Sequence, residues 1–144
     1  MFSKACEYGI RAIIHIAVLS QDGKRVGLKE IAKKIDSPEA FTAKILQVLS
    51  KNDLIESTKG PTGGFEISMQ QMKKLKLSDV ISAIDGDSIY KGCGLGMKEC
   101  SEKHPCPMHD KFKKIRNELK KMLENTTIYT LASDQKNGLT FLKR

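Results

Sequence analysis

Apolar residues fall at helical spacing in three successive stretches of the N-terminal part of the chain. Ile10, Ile13, Ile14, Ala17 and Val18 line one side of a helix predicted from Ser3 to Ser20, with the Ser3 hydroxyl placed to cap it. Gln21-Asp22-Gly23-Lys24 ends that helix, and Leu28, Ile31, Ala32 and Ile35 define a short amphipathic helix, Leu28–Ile35. Ser37-Pro38-Glu39 then reads as a helix start: a capping hydroxyl, a proline that presets φ, and an acid suited to the helix dipole. That third helix is expected to run to about Lys51 and to bury Phe41, Ile45, Leu46, Val48 and Leu49. The pattern changes after Asn52-Asp53. Leu54–Thr58 and Phe65–Ser68 read as short strands joined by Lys59-Gly60-Pro61-Thr62-Gly63-Gly64. Ser78 is expected to cap a helix through Ile84 that buries Val80, Ile81 and Ile84. Phe112, Ile115, Leu119, Met122 and Leu123 predict a long helix from about Met108 to Asn125. Thr130 is expected to cap one further turn, with the tail from Lys136 weakly ordered.

Helix, short helix, helix and two-stranded hairpin is the winged helix-turn-helix order. The fold class is therefore mainly α (α+β). The organisation expected is a winged helix-turn-helix domain over 1–86, a cysteine-rich loop over 87–107, and a long helix with its tail over 108–144. The 144 residues suffice for one domain with a core. No apolar run approaches the roughly 20 residues that span a bilayer, and Cys6, Glu7 and Arg11 interrupt any signal-peptide core near the N-terminus, so a cytoplasmic protein with no membrane partner is expected.

Charge sharpens this reading. The net charge is +8, which favours a polyanionic partner such as nucleic acid. Between Lys24 and Lys76 there are eleven basic and six acidic residues, whereas between Asp85 and Asp110 there are three basic and five acidic. Positive charge is thus concentrated on the helix-turn-helix part. In that arrangement the third helix enters the major groove with its N-terminal residues toward base edges, which makes Glu39, Ala40, Thr42, Ala43 and Lys44 candidate contacts. Thr42 could bond a base or phosphate, and Lys44 a phosphate or a guanine edge. The tip Lys59, Gly60, Pro61, Thr62 and Gly63 combines a cation with glycines that allow positive φ and close backbone approach, as a narrow minor groove would require.

Cys93, Cys100, Cys106 and His109 follow as C-x6-C-x5-C-x2-H in a glycine-rich, charged stretch. Soft thiolates with one imidazole suit an iron–sulfur cluster or a tetrahedral Cys3His zinc site, and spacing alone leaves the two open. Reduced thiols fit a protein with no secretion signal better than disulfides do. Cys6, far away on the first helix, reads as a packed small residue, and His15 as structural or surface. A catalytic Cys106–His109 pair is a weaker reading, because no orienting acid is evident and three cysteines exceed what a nucleophile needs.

Taken together these residues resemble the IscR/NsrR-type bacterial regulators. The resemblance covers nearly the whole chain. It rests on Ser3-Lys4 with Tyr8, on LKEIAKKI over 28–35, on Leu49-Ser50-Lys51-Asn52-Asp53-Leu54-Ile55, and on the wing Lys59 to Phe65. Asp79-Val80-Ile81-Ser82-Ala83-Ile84-Asp85 and the three-cysteine loop complete it. It implies a homodimeric winged-helix regulator of double-stranded DNA, a repressor by preference, dimerised through the Met108–Asn125 helix. It also implies an iron–sulfur cluster on Cys93, Cys100 and Cys106 that tunes DNA binding and can be lost from a sample prepared in air. His109 matches the fourth ligand of a [2Fe–2S] branch, the preferred assignment. Glu7, from the partner subunit, matches that of a [4Fe–4S] branch. Two positions depart from the pattern: Lys59 stands where the wing usually has arginine, and Ala43 where some relatives carry an acid.

Overall fold

The computed structural model describes residues 1–142. Helix α1, Lys4–Ser20, is capped as expected, the Ser3 hydroxyl accepting from the Cys6 N–H at 3.0 Å. It is the central strut: Ala12, Ile13, Ile16 and Ala17 are fully buried, and four other helices pack against it. Helix α2, Leu28–Ile35, buries Ile31, Ala32 and Ile35 and ends at Asp36 in the left-handed conformation, φ 53°. Arg11 of α1 donates to the Ile35 carbonyl at 2.9 Å and lies over the Tyr8 ring, 4.8 Å from its centroid, which pins the turn into the next helix. Helix α3, Glu39–Lys51, buries Ile45, Leu46 and Leu49, while Phe41 and Val48 are only half-buried. Ser37 does not cap it; its hydroxyl instead meets that of Thr42.

Strands β1, Glu56–Thr58, and β2, Gly64–Glu66, pair antiparallel with Ser57 opposite Phe65. They are shorter than the alternation suggested, because Leu54, Ile55 and Ile67 leave the ladder and turn into the core. Val26 adds a backbone bridge to Phe65 on the other edge, with N–H···O distances of 2.8 and 3.1 Å.

Helix α4, Met69–Lys74, was not visible in the hydrophobic pattern; it is capped by Ser68 and buries Met72. Helix α5, Leu77–Asp85, buries Val80 and Ile81, with Ile84 half-buried. Ser78 does not cap it. The helix begins two residues earlier, where the Asp79 carboxylate accepts from the Lys76 N–H at 2.8 Å, and Ser78 is buried within it. One short turn, α6 over Ser88–Lys91, precedes the cysteine segment, and α7 then runs His109–Asn125.

The end of the chain is a full helix rather than a single turn. Helix α8, Ile128–Lys136, is capped by Thr127, which accepts from the Thr130 N–H at 3.1 Å. Backbone bonds Leu77 N–H to Thr126 O (2.8 Å) and Ile128 N–H to Leu75 O (3.0 Å) return the chain onto the N-terminal layer. There α8 packs on α1 and α4 and buries Ile128 and Ala132 completely. A fully buried isoleucine contributes about 1.5–3 kcal/mol, so this closing helix is part of the core.

Candidate functional site

Two surfaces carry the candidate residues. The first is the outer side of α3 with the hairpin beside it. Glu39, Ala40 and Lys44 are exposed and Ala43 is half-buried, so these four share an outward face. Gln47 and Lys51, also exposed, continue the stripe begun by Ala40 and Lys44 at helical spacing. Thr42 points the other way. It is fully buried, and its hydroxyl donates to the Pro38 carbonyl at 2.8 Å, so it cannot reach a base or phosphate. Its place on the inner face follows from Ile45, Leu46 and Leu49, three, four and seven residues on, which are all core.

At the hairpin tip Lys59, Gly60, Pro61 and Thr62 are exposed and Gly63 is half-buried. Gly60 has φ 99°, and the Gly63 N–H closes the tip onto its carbonyl at 3.0 Å. A Cβ on Gly63 would sit 2.1 Å from the Thr58 carbonyl oxygen, so the tight tip requires glycine there. Arg25, which the sequence pattern did not single out, lies under the tip. It pairs with Glu66 at 3.0 Å and donates to the Thr62 carbonyl at 3.4 Å. No local spacing marks it: the Val26 bridge that brings its neighbour alongside β2 is a tertiary contact.

The second surface is the segment between α6 and α7. His109 opens α7 and is buried, with Nδ1 3.4 Å from the Cys100 sulfur. The Leu95 N–H reaches the Cys93 sulfur at 3.4 Å. Backbone N–H groups of Leu95 and then Met97, with smaller contributions from Cys106 and Arg116, hold the Cys93 thiol below its ordinary value. Among the described residues no three of these donors gather tightly enough to enclose an ion. The imidazole faces Cys100 and not Cys106, so the nucleophile pair suggested by spacing does not form. Only backbone joins those two, the His109 N–H to the Cys106 carbonyl at 2.9 Å.

Arg116, likewise not anticipated, donates from Nη2 to the Cys100 sulfur at 3.2 Å. Glu7 sits in the first turn of α1, paired with Lys4 at 3.2 Å. Cys6 is fully buried beside Asp85, and burial first, then that carboxylate, pushes its thiol up to about 12. As expected it is a packed residue, inert as a ligand. Ser3 ties the start of α1 to Asp85, its N–H reaching Oδ2 at 3.2 Å, at the point where α5 gives way to the cysteine segment.

Residues 2–134 match a family of iron-dependent transcriptional regulators. The chain belongs to the Rrf2 family. A candidate HTH-type transcriptional regulator of Aquifex aeolicus is 31% identical over 141 residues, covering 96% of each chain. The HTH-type transcriptional regulator IscR of Yersinia pseudotuberculosis is 26% identical, over 89% of this chain and 76% of its own. Among solved structures, CymR, the global cysteine regulator of B. subtilis, superposes with TM-score 0.76 at 23% identity, covering 92% and 96% of the two chains. T. potens IscR does so with TM-score 0.73 at 18% identity, covering 98% and 92%. This Rrf2 protein therefore has the winged-helix fold and is a transcriptional regulator, not an enzyme. No helix among its described residues is long and apolar enough to cross a membrane.

Proposed function

We propose that this Rrf2 regulator binds double-stranded DNA as a cytoplasmic homodimer and represses by occupying its site, with an iron–sulfur cluster on Cys93, Cys100, Cys106 and His109 controlling that binding. The observation that carries the reading is the convergence of Cys100, His109 and Arg116 where the cysteine segment enters α7. The donor set fits such a group chemically. Three soft sulfurs and an imidazole lie in one segment, and N–H donors already point at two of the sulfurs, as anionic thiolates require. When bound, the cluster supplies a charge and coordination state that respond to oxidants, nitric oxide or iron supply. A [2Fe–2S] group suits the local His109; a [4Fe–4S] group would suit Glu7 of a second copy.

The chain's own parts convert ligation into DNA affinity. Glu39, Ala40, Ala43 and Lys44 on α3, extended by Gln47 and Lys51, face the major groove. Lys59 to Gly63, with Arg25 beneath, face the adjacent minor groove and its phosphates. The cysteine segment links α5, which packs on α1 and α3, to α7, which also touches α5. Met108, Ile115 and Met122 repeat every seven residues on α7, and Ile115 and Met122 are 62% and 51% exposed, which suits a helix-to-helix seam between two copies. Ordering the segment thus biases the spacing of the two reading heads, a population shift between dimer geometries.

Anaerobic reconstitution tests this. Iron and sulfide should bind stoichiometrically, and Cys93→Ala, Cys100→Ala or Cys106→Ala should each abolish the visible band. His109→Ala should alter the spectrum while Glu7→Ala leaves it intact; the reverse would assign Glu7. Tight zinc binding with no iron uptake would replace the cluster by a structural zinc site.

A further inference from the structure

We infer that Arg116 is a positioning residue for the metal centre, holding the start of the cysteine segment and its central Cys100 to α7 through one guanidinium. The inference rests on the iron–sulfur reading above. His109, Phe112 and Arg116 occupy positions i, i+3 and i+7 of α7 and so share one face, the face turned toward the segment. From Nη1, Arg116 donates to the carbonyl of Gly92, next to Cys93, and at 3.4 Å to that of Lys91. From Nη2 it donates to the Cys100 sulfur at 3.2 Å. Phe112 adds a steric contact: a Cβ on Gly94 would meet its ring at 2.5 Å, so the backbone lies flat against α7 there. One rigid fork therefore fixes the approach to the first ligand and touches the second, a geometry that lysine cannot reproduce.

The donors are not all used. Arg116 Nε is buried with no partner among the described residues, although its guanidinium stands beside a ligand sulfur. An unpaired buried N–H is costly, and a sulfur-rich anion is an acceptor able to satisfy it. The neighbouring cation, Lys113, is taken up by Glu102 at the surface. Arg116 is thus built to neutralise a thiolate-ligated centre and to carry its presence to the helix of the dimer seam. A hydrogen bond from a cation to a ligand sulfur stabilises the more negative, reduced state and raises the reduction potential.

Wild type, Arg116→Ala, Arg116→Lys and Lys113→Ala are compared after anaerobic iron–sulfur reconstitution, by dithionite titration of the visible band and by its bleaching rate under a chelator. At the potential that half-reduces wild type, Arg116→Ala should show a reduced-to-oxidised ratio about tenfold lower, the effect of one charge-assisted hydrogen bond, and should bleach about tenfold faster. Arg116→Lys, which keeps the charge without the fork, should fall between, and Lys113→Ala should match wild type. Should Arg116→Ala take up no cluster, the same comparison is read from Arg116→Lys. Potentials and bleaching rates equal to wild type in the arginine variants overturn the inference and leave the cluster reading standing. A wild-type chain that binds no cluster overturns both.

Discussion

Thr42→Val isolates the residue whose structural role departs most from its sequence appearance. The substitution keeps shape and burial and removes only the hydroxyl. That hydroxyl makes two bonds, one to the Pro38 carbonyl at 2.8 Å and one to the Ser37 hydroxyl. The Pro38 carbonyl keeps its second donor, the Thr42 N–H at 2.9 Å, so it is not orphaned. The Ser37 hydroxyl is half-buried and partly regains water. Two net bonds at about 0.5–1.5 kcal/mol each, discounted for that recovery, give a destabilisation of about 1–2 kcal/mol. With a urea m-value of about 2 kcal/mol/M the midpoint should fall by about 0.5–1 M at fixed chain concentration, with m unchanged. Thr42→Ser, which keeps the hydroxyl but deletes a buried methyl worth about 1 kcal/mol, should restore it only in part. The ranking of sites selected from a randomised DNA pool should not change. An unchanged midpoint combined with an altered ranking would refute the reasoning and return Thr42 to the interface.

Other consequences follow from the same geometry. Lys59→Ala and Arg25→Ala should each weaken binding across sequences and lower the salt slope by about one unit, whereas Lys44→Ala should also change site preference if it reaches a base; a salt slope unmoved in the first two would remove the wing from the interface. Ile115→Asp places a carboxylate on the exposed seam of α7 and should shift sedimentation toward monomer and weaken binding to two-half-site DNA, and an unaltered dimer would place the interface elsewhere. His15 is buried, and burial first, then Lys34, lowers its pKa from the ordinary 6.5. The unfolded chain therefore binds a proton that the native state resists. The His15 contribution to stability is full above about pH 6.5 and is lost as pH falls from there toward the depressed native value. His15→Gln should flatten that part of the stability profile relative to wild type; parallel profiles would argue against it.

The parts of the fold that could be read from the sequence are those where one short pattern determines one element. Helix α2 alternates core and charge strictly enough that both ends are marked, and Gly60, Pro61 and Gly63 announce a tight tip whatever surrounds them. Helix α4 was not legible and α8 only as one turn with its cap misplaced at Thr130 instead of Thr127, because the burial of Met72, Ile128 and Ala132 depends on α1 arriving from far away in sequence. Ser78 misled because serine is a good cap in isolation, whereas Asp79 three residues after Lys76 is the better one. At the candidate site, residue types and spacing singled out the candidate ligands, but not that His109 would face Cys100, nor that Arg116, two turns into α7, would reach back to it. Those pairings are set by how the segment folds over the helix, which no local spacing encodes. Thr42 shows the converse: helix periodicity alone places it with Ile45 and Leu49, and weighing that above hydroxyl chemistry would have put it inside.

The central claim, that a cluster on the cysteine segment governs DNA binding, is tested most directly by one titration. Anaerobically reconstituted wild-type protein, bound to its selected duplex, is stripped with a chelator while visible absorbance and DNA anisotropy are recorded together, with Cys100→Ala as the reference. The account predicts that the band and the DNA affinity change along the same course, and that the stripped protein ends at the affinity of Cys100→Ala. A band that disappears while affinity stays constant would contradict it.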